Sequence, residues 1–151
     1  MKSLIIFISI VLLFTHQDEY AGLRNQMVDT QIKARGVNNK NVLKAMKKVP
    51  RHLFVPVDYQ SAAYQDRPLP IGQNQTISQP YIVGYMTEAI NPEEDDIVLE
   101  IGTGSGYQAA VLAEIVKKVY TLEIIPELGI MANERLKILG YENIEAKVSD
   151  G

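Results

Sequence analysis

A glycine-rich run between an apolar segment and a helical pattern constrains this chain more than any other feature. Residues 97–101 (Ile-Val-Leu-Glu-Ile) predict a buried strand, residues 102–106 (Gly-Thr-Gly-Ser-Gly) follow, and a helix is predicted to about Lys117. Glycine accepts positive φ angles and lets a ligand approach the backbone without a Cβ in the way. The run therefore predicts a tight strand-to-helix turn at which the backbone can meet a ligand.

The segments after the glycine run repeat the alternation of strand and helix. Val119–Glu123 predicts a second strand, and a helix opens at Pro126 and closes at Gly140. Ile144–Val148 predicts a third strand. Short connections between such elements produce right-handed parallel crossovers. The predicted fold class is therefore α/β, with the first three strands of an incomplete, Rossmann-like, doubly wound parallel sheet.

The residues before this sheet predict helices and loops. A helix is predicted over 21–35, and a second, capped by Asn39, over 39–49. A third is predicted from about 80 to 90. The stretch 50–78 holds several prolines and no sustained period, which predicts loops and short extended pieces.

Composition narrows the class of protein. The 151 residues are 46% apolar and 22% charged, which excludes wholesale disorder. A net charge of −3 argues against a broad phosphate-binding surface, so no nucleic-acid partner is expected. The chain has no cysteine, which excludes disulfides and thiolate-bound zinc, and its two histidines are too few for a histidine-rich metal site. No metal is expected.

The first 18 residues have a separate character. Lys2 precedes an apolar run over 4–14, and a polar stretch follows. The run is shorter than the roughly 20 apolar residues of a membrane-spanning helix, and its layout is typical of a secretory signal, although Glu19 stands where a cleavage site needs a small residue. Residues 1–18 are therefore predicted to be a signal-like segment or a membrane tether through residues 2–15. The alternatives are a buried element or a tail from an unusual start site.

The spacing of the glycines indicates which ligand the turn can bind. A dinucleotide fingerprint requires a third glycine at the position of Tyr107, and no Gly-Lys-Ser/Thr of a phosphate-binding loop follows. The pattern acid-x-Gly-x-Gly-x-Gly, which begins at Glu100, suits a nucleoside ligand without a pyrophosphate. Glu123 ends the next strand, where a carboxylate can accept hydrogen bonds from both ribose hydroxyls. The alternative is that the glycines only form a tight turn and that Glu123 is an ordinary strand-end acid.

Three stretches give the chain a specific resemblance. They are Lys48-Val-Pro-Arg-His-Leu-Phe-Val-Pro56, then Asp66-Arg-Pro-Leu-Pro-Ile-Gly72 with Gln75-Thr-Ile-Ser-Gln-Pro-Tyr81, and Leu99-Glu-Ile-Gly-Thr-Gly-Ser-Gly-Tyr-Gln108. From about residue 24 to the end, the chain resembles the protein-L-isoaspartate O-methyltransferase family. Many methyltransferases share the third stretch in outline, whereas the second is much more specific.

The resemblance implies a cofactor and a division of the chain. The family uses S-adenosylmethionine as its methyl donor and no metal. Residues 19–92 are expected to form an N-terminal helical and loop segment on the substrate side. Residues 93–151 are expected to form the N-terminal half of the S-adenosylmethionine-binding domain. Because the family continues with further strands, the chain is expected to be truncated at its C-terminus.

The resemblance also implies site residues. Ser78 corresponds to the family's active-site serine and is expected to orient the substrate carboxylate, and Thr76 is expected to share that role. From the residues alone, a helix-cap hydroxyl is the favoured interpretation of Ser78. Ser149 stands where the family more often has glycine. The residues expected to contact the cofactor are Glu100, Gly102, Thr103, Gly104, Ser105, Gly106, Glu123, Asp150 and Gly151.

The expected function is methyl transfer from S-adenosylmethionine to the carboxylate of L-isoaspartyl residues, which repairs damaged proteins. One alternative is another S-adenosylmethionine-dependent methyltransferase, acting on a small molecule or a nucleic acid. The other is an inactive, truncated remnant that binds a ligand. The expected partners are isoaspartyl proteins or peptides, and the chain is expected to be a monomer. The cytoplasm, where the methyl donor is made, is its expected location, and a periplasmic or membrane-tethered protein is the alternative.

Overall fold

The computed structural model describes residues 19–151, so the predicted signal-like or tether segment at 1–18 lies outside the described residues. The α-helices are α1 (Ala21–Met27), α2 (Lys40–Lys48), α3 (Pro80–Ala89), α4 (Tyr107–Ala113) and α5 (Pro126–Ile138). The strands are β1 (Leu69–Gly72), β2 (Gln75–Ile77), β3 (Ile97–Ile101), β4 (Lys118–Glu123) and β5 (Ile144–Val148). Among the helices of residues 19–151, none is long and apolar enough to cross a membrane.

The predicted helix over 21–35 is helical throughout but changes its pitch. α1 continues into a π-helical turn over Val28–Ile32 and then a 3-10 turn over Lys33–Arg35. Gly36 ends the segment with a φ of 100°, a left-handed conformation that glycine adopts without strain. The spacing of apolar residues therefore predicted the extent of this helical segment but not its change of pitch.

The second predicted helix begins as expected. The side-chain Oδ1 of Asn39 accepts hydrogen bonds from the backbone N–H groups of Asn41, at 2.9 Å, and Val42, at 3.3 Å. These bonds satisfy donors that have no partner within the first turn of a helix. α2 ends before Pro50, whose ring cannot continue it.

The stretch 50–78 contains two 3-10 turns and a hairpin. The 3-10 turns span Arg51–Phe54 and Val57–Ala62, and the sequence did not predict them. The hairpin pairs β1 with β2 in antiparallel register, with Leu69 opposite Ile77. It agrees with the short extended pieces that were expected here, and it leads directly into the residues before α3.

The parallel sheet is confirmed. Its strand order is β3-β4-β5, and both neighbouring pairs are parallel. Leu99 lies opposite Tyr120, and Thr121 lies between Glu100 of β3 and Ala146 of β5. α4 and α5 pack against β4 and β5. The α/β class and the parallel crossovers are therefore as predicted.

The prediction that β3 is a buried strand was wrong for one of its faces. Ile97, Leu99 and Ile101 are 60–65% exposed. Successive side chains of a strand point to opposite faces, and in β4 the buried residues Val119 and Thr121 belong to the face that the helices cover. Within residues 19–151, the opposite face of the sheet has no covering helix, so alternate residues of β3 remain open.

The helix after the glycine turn is shorter than predicted. α4 ends at Ala113 rather than near Lys117. The backbone N–H groups of Ile115 and Val116 both donate to the carbonyl of Leu112, which forms a turn. Ile115 and Val116 are buried, and their β-branched side chains are less suited to a helix. The chain therefore leaves the helix early.

One hydrophobic core joins the N-terminal part to the sheet within the described residues. The rings of Phe54 and Tyr107 pack edge to face with centroids 5.4 Å apart. Met46 of α2 is fully buried, and its Sδ accepts a hydrogen bond from the Tyr107 hydroxyl at 3.9 Å. Because both parts share this core, the loops before α3 keep a fixed position relative to the glycine turn.

The close contact between α3 and the π-helical turn generates a prediction. A Cβ added at Gly84 would lie 2.8 Å from Cγ2 of Ile32, which is fully buried. We expect Gly84→Ala to lower the free energy of unfolding by about 1–2 kcal/mol, because the clash exceeds the gain in helix propensity. Urea unfolding followed by circular dichroism measures the change.

The matched control is Gly22→Ala in α1. An added Cβ there meets no atom within 4 Å, so this substitution is expected to raise stability by about 0.5–1 kcal/mol. A Gly84→Ala protein as stable as the Gly22→Ala protein contradicts the predicted clash.

Candidate active site

The loop before α3 and the glycine turn meet at one cavity. Its volume is about 70 Å³, below the roughly 300–1,000 Å³ of most small-molecule sites. It therefore encloses only part of a nucleoside-sized ligand. The lining residues are Thr76, Ile77, Ser78, Val83, Glu100, Gly102, Thr103, Gly104, Ser105, Tyr107 and Gln108. The cavity thus brings together seven of the sequence-predicted site residues, from both halves of the chain.

The glycine turn requires its glycines. Gly102, Gly104 and Gly106 have φ angles of 93°, 52° and 85°, in the left-handed region that other residues rarely adopt. A Cβ at Gly106 would also lie 3.2 Å from Cδ1 of Leu136. Gly106 does not line the cavity but precedes the first residue of α4. Its contact with Leu136 is therefore one of packing.

Hydrogen bonds from outside the glycine turn hold its backbone. The N–H groups of Gly102 and Thr103 both donate to the carbonyl of Leu122 in β4, at 2.8 and 3.1 Å. Arg135 of α5 donates from Nη1 to the carbonyl of Ser105 at 2.8 Å. Burial lowers the pKa of Arg135. The turn is thus fixed both at its base and at its far end.

Glu123 lies beneath the turn. Its Oε2 accepts a hydrogen bond from the N–H of Gly104 at 2.8 Å, and its Oε1 accepts one from the N–H of Ile125 at 2.9 Å. The side chain is 5% exposed and does not line the cavity. A carboxylate has about four acceptor positions, so two remain after these bonds. The predicted contact with ribose hydroxyls stays a prediction.

Glu100 faces the cavity from β3. Thr121 of β4 donates from Oγ1 to its Oε2 at 2.5 Å. Burial raises the pKa of Glu100, the hydrogen bond from Thr121 opposes this rise, and the negative charge of Glu123 adds to it, so that the pKa is about 7. The carboxyl group therefore changes its charge near neutral pH.

Ser78 is not a helix cap. Gln79 occupies the capping position of α3, and its side chain makes no capping bond, so the interpretation of Ser78 as a cap hydroxyl is wrong. Ser78 and Thr76 are exposed at the cavity. Within the described residues no hydrogen bond engages the Ser78 hydroxyl, which leaves it available to a ligand.

Arg51 holds the backbone of the Ser78 loop. Its side chain is fully buried and donates from Nε to the carbonyl of Ala63 at 2.8 Å and from Nη2 to the carbonyl of Ser78 at 2.7 Å. The guanidinium carbon lies 4.8 Å from the centroid of the Tyr107 ring. Burial lowers the pKa of Arg51. Arg51 was not among the predicted site residues, because no periodic pattern marks a buried arginine in an irregular segment.

Three other residues at or beside the cavity were also absent from the predicted site residues. Gln108 lines the cavity and donates from Nε2 to Oγ1 of Thr87 at 2.7 Å. Tyr107 lines it too, and burial raises the pKa of its hydroxyl to about 12. Thr121 does not line the cavity but bonds to Glu100 and Thr103. A signal for Thr121 existed, because it shares a strand face with Glu123, two residues away.

The last two predicted residues lie apart from the cavity lining. Asp150 and Gly151 follow β5 and are exposed. The N–H of Ser149 donates to the backbone carbonyl of Glu123 at 2.9 Å, which keeps this segment beside the end of β4. A Cβ at Gly151 would lie 2.8 Å from Cγ2 of Ile101. In residues 19–151, no group of three or more potential metal ligands converges.

Comparisons with known proteins match this chain to one family of sequences. The family model described as protein-L-isoaspartate(D-aspartate) O-methyltransferase (PCMT) matches residues 23–151. A protein-L-isoaspartate O-methyltransferase from a Picosynechococcus species is 58% identical over 134 residues, which cover 89% of this chain and 60% of that protein. One from Methanoculleus marisnigri is 56% identical over 128 residues, which cover 85% of this chain and 58% of that protein. The chain therefore spans about 60% of the length of these curated relatives.

Solved structures agree on the fold. A protein-L-isoaspartate O-methyltransferase structure superimposes with a TM-score of 0.74 at 28% identity, covering 85% of this chain and 42% of that one. The second structure is a proposed protein-L-isoaspartate O-methyltransferase from Plasmodium falciparum, solved in complex with S-adenosyl-L-homocysteine. It superimposes with a TM-score of 0.66 at 23% identity and covers 80% of this chain and 60% of that one. With a family model that matches 129 consecutive residues, 23–151, the chain belongs to the protein-L-isoaspartate(D-aspartate) O-methyltransferase family.

Proposed function

We propose that this chain provides the cofactor site and the active-site loop of an enzyme that repairs damaged proteins. The enzyme transfers a methyl group from S-adenosylmethionine to the carboxylate of L-isoaspartyl residues. The observation that carries the proposal is the convergence of Ser78 with Glu100 and the glycine turn on one cavity. Family membership supports it, as do the relatives that carry the name of this methyltransferase.

The residues around the cavity fit the proposed cofactor. When bound, S-adenosylmethionine supplies a methyl group that is already activated by a positively charged sulfur. The carboxyl group of Glu100, which lines the cavity, complements the cationic group of the cofactor. Glu123 lies beneath the turn rather than in the cavity lining, and its carboxylate keeps two acceptor positions for ribose hydroxyls. Beside Gly102, an added Cβ would meet no atom within 4 Å, so the backbone there is open to a ligand. The S-adenosyl-L-homocysteine bound in the Plasmodium falciparum structure is further support.

The residues of the chain contribute alignment rather than proton transfer. An isoaspartyl carboxylate is an anion at neutral pH, so its oxygen attacks a methyl group without help from a general base. Ser78 donates a hydrogen bond to one carboxylate oxygen and leaves the other free to react, and Thr76 is placed to assist. Orientation of this kind and the exclusion of water account for large rate effects in enzymes.

The setting of the reaction is also part of the proposal. Isoaspartyl proteins or peptides are the partners, and the chain acts as a monomer. The reaction takes place in the cytoplasm, where S-adenosylmethionine is made. Fractionation of cells that express the chain with and without residues 1–18 tests the location.

Two measurements on the 151-residue chain test the proposed function. Isothermal titration with S-adenosylmethionine measures cofactor binding, and transfer of a labelled methyl group to an isoaspartyl peptide measures turnover. The matched control substrate is the same peptide with a normal aspartyl residue. Binding together with methylation of the isoaspartyl peptide alone is expected. Equal methylation of both peptides overturns the substrate assignment, and binding without turnover favours a ligand-binding remnant.

The Ser78 hydroxyl generates a prediction about activity. Ser78→Ala removes the proposed donor to the substrate carboxylate, and a hydrogen bond to a charged group contributes about 1.5–3 kcal/mol. We therefore expect kcat/KM for the isoaspartyl peptide to fall about 10- to 100-fold, while the Kd for S-adenosylmethionine is nearly unchanged. Methyl-ester formation and calorimetry give the two values.

Ser61→Ala is the matched control, because Ser61 is exposed and does not line the cavity. Turnover of this variant is expected to equal that of the unchanged chain. Undiminished turnover in Ser78→Ala would remove Ser78 from the mechanism.

The contacts of Arg51 generate a prediction about stability. Arg51→Met leaves the carbonyls of Ala63 and Ser78 without their buried donor, and each such loss costs about 1–3 kcal/mol. We expect the free energy of unfolding to fall by about 2–4 kcal/mol. Urea unfolding measures it, and Arg67→Met, at an exposed arginine, is the control with little effect. A loss below about 1 kcal/mol for Arg51→Met is incompatible with its role as the anchor of the loop.

A further inference from the structure

A line of three hydrogen-bonded side chains runs from the glycine turn to Glu100 along the face of the sheet that the helices cover. The hydroxyls of Thr103 and Thr121 lie 2.7 Å apart. Thr121 donates to Oε2 of Glu100 at 2.5 Å. A hydroxyl has one hydrogen to donate, so Thr103 is the donor in the first bond. The line therefore has a fixed direction, from Thr103 through Thr121 to Glu100.

The parallel register places Thr121 at the centre of this line. Thr121 pairs with Glu100 across β3 and β4, so both side chains point to the same face of the sheet. Thr121 is fully buried. Burying a hydroxyl is costly unless it is hydrogen-bonded, whereas valine has nearly the same shape without that cost. Here the hydroxyl makes two bonds, and both lead to residues that line the cavity.

We propose that Thr121 is a positioning residue that holds the Glu100 carboxylate and the Thr103 side chain in one arrangement at the cavity where the cofactor is proposed to bind. The expected effect on cofactor affinity rests on the proposed function, whereas the hydrogen bonds of Thr121 are observed independently of it. Thr121 does not line the cavity. It acts on a ligand only through the two side chains that it bonds.

The surroundings of Glu100 determine in which direction its pKa moves when the hydrogen bond from Thr121 is removed. Burial disfavours the carboxylate of Glu100, and Glu123, on the same strand as Thr121, adds negative charge, so the pKa of Glu100 is raised to about 7. Tyr107, the other titratable residue lining the cavity, has a pKa raised to about 12 and is neutral in this range. The bond from Thr121 stabilises the ionised form and opposes the rise. Without that bond, the carboxyl group remains protonated to higher pH.

The consequence for binding follows from the sign of this shift. An ionised Glu100 attracts the cationic part of S-adenosylmethionine, so affinity is full above the pKa of Glu100 and is lost as pH falls through it. Thr121→Val therefore moves the loss of affinity to higher pH. Thr121→Ser keeps the donor and leaves the loss of affinity where it was.

A titration without ligand tests the positioning directly. The 13C signal of the Glu100 side-chain carboxyl is followed against pH in the full chain and in the variants Thr121→Ser and Thr121→Val. We expect a midpoint near 7 in the unchanged chain and a similar one in the serine variant. In the valine variant we expect a midpoint higher by about half a unit or more. Coincident midpoints in all three proteins overturn the inference.

Cofactor binding provides the second measurement. Calorimetry with S-adenosylmethionine across the same pH range is expected to give a break in affinity that follows each variant's midpoint. At pH 7 the valine variant is expected to bind at least about twofold more weakly, because a midpoint half a unit higher leaves about a quarter of Glu100 ionised instead of about half. A merely structural role for Thr121 would lower the unfolding temperature without moving the break, and that result also overturns the inference.

The two measurements separate the inference from the proposed function. If the unchanged chain binds no S-adenosylmethionine at any pH, the proposed function fails, and the ligand-free titration still decides the role of Thr121. Should Thr121→Val not fold, Thr121→Cys replaces it, because its S–H is only a weak donor. An upward midpoint in the cysteine variant supports the inference, and an unchanged one overturns it.

Discussion

A single buried guanidinium joins the candidate site to the rest of the fold. Arg51 donates to the carbonyls of Ala63 and Ser78 and lies against the ring of Tyr107, the first residue of α4. An arginine keeps its charge even when buried, so these contacts must offset the loss of water. The loop between β2 and α3, the 3-10 turn before the hairpin and the helix after the glycine turn thus depend on one side chain.

The two loops of the site are held in the same manner, each by an arginine that donates to a backbone carbonyl. Arg51 contacts Ser78, and Arg135 of α5 contacts Ser105. A bond to the backbone fixes the path of a loop and leaves its side chains uncommitted. The hydroxyl of Ser78 can therefore be placed with accuracy and remain available. A fixed backbone with a free hydroxyl suits the proposed methyl transfer, which relies on alignment, because a misplacement of about 1 Å can lower the rate of a reaction greatly.

The sequence predicted the features whose causes are local. Asn39 caps α2 through its own side chain, and the glycines of the turn adopt the left-handed angles that only a residue without Cβ accepts readily. The strands and their parallel order followed from spacing. Features with distant causes were missed. After the early end of α4, Ile115 and Val116 are buried in the core, and Arg51 makes hydrogen bonds to residues up to 27 positions away and packs against Tyr107, which is farther still. No short pattern contains such information.

The packing of Phe54 against Tyr107 has a consequence for how the molecule responds to a ligand. This contact belongs to a core shared by the N-terminal loops and the helix that follows the glycine turn. Neither part can loosen without exposing apolar surface of the other, so opening is cooperative. A molecule held in the cavity between them resists the unfolding of both at once. Ligand binding at the cavity and the global stability of this fold are therefore thermodynamically linked, and a measurement of one reports on the other.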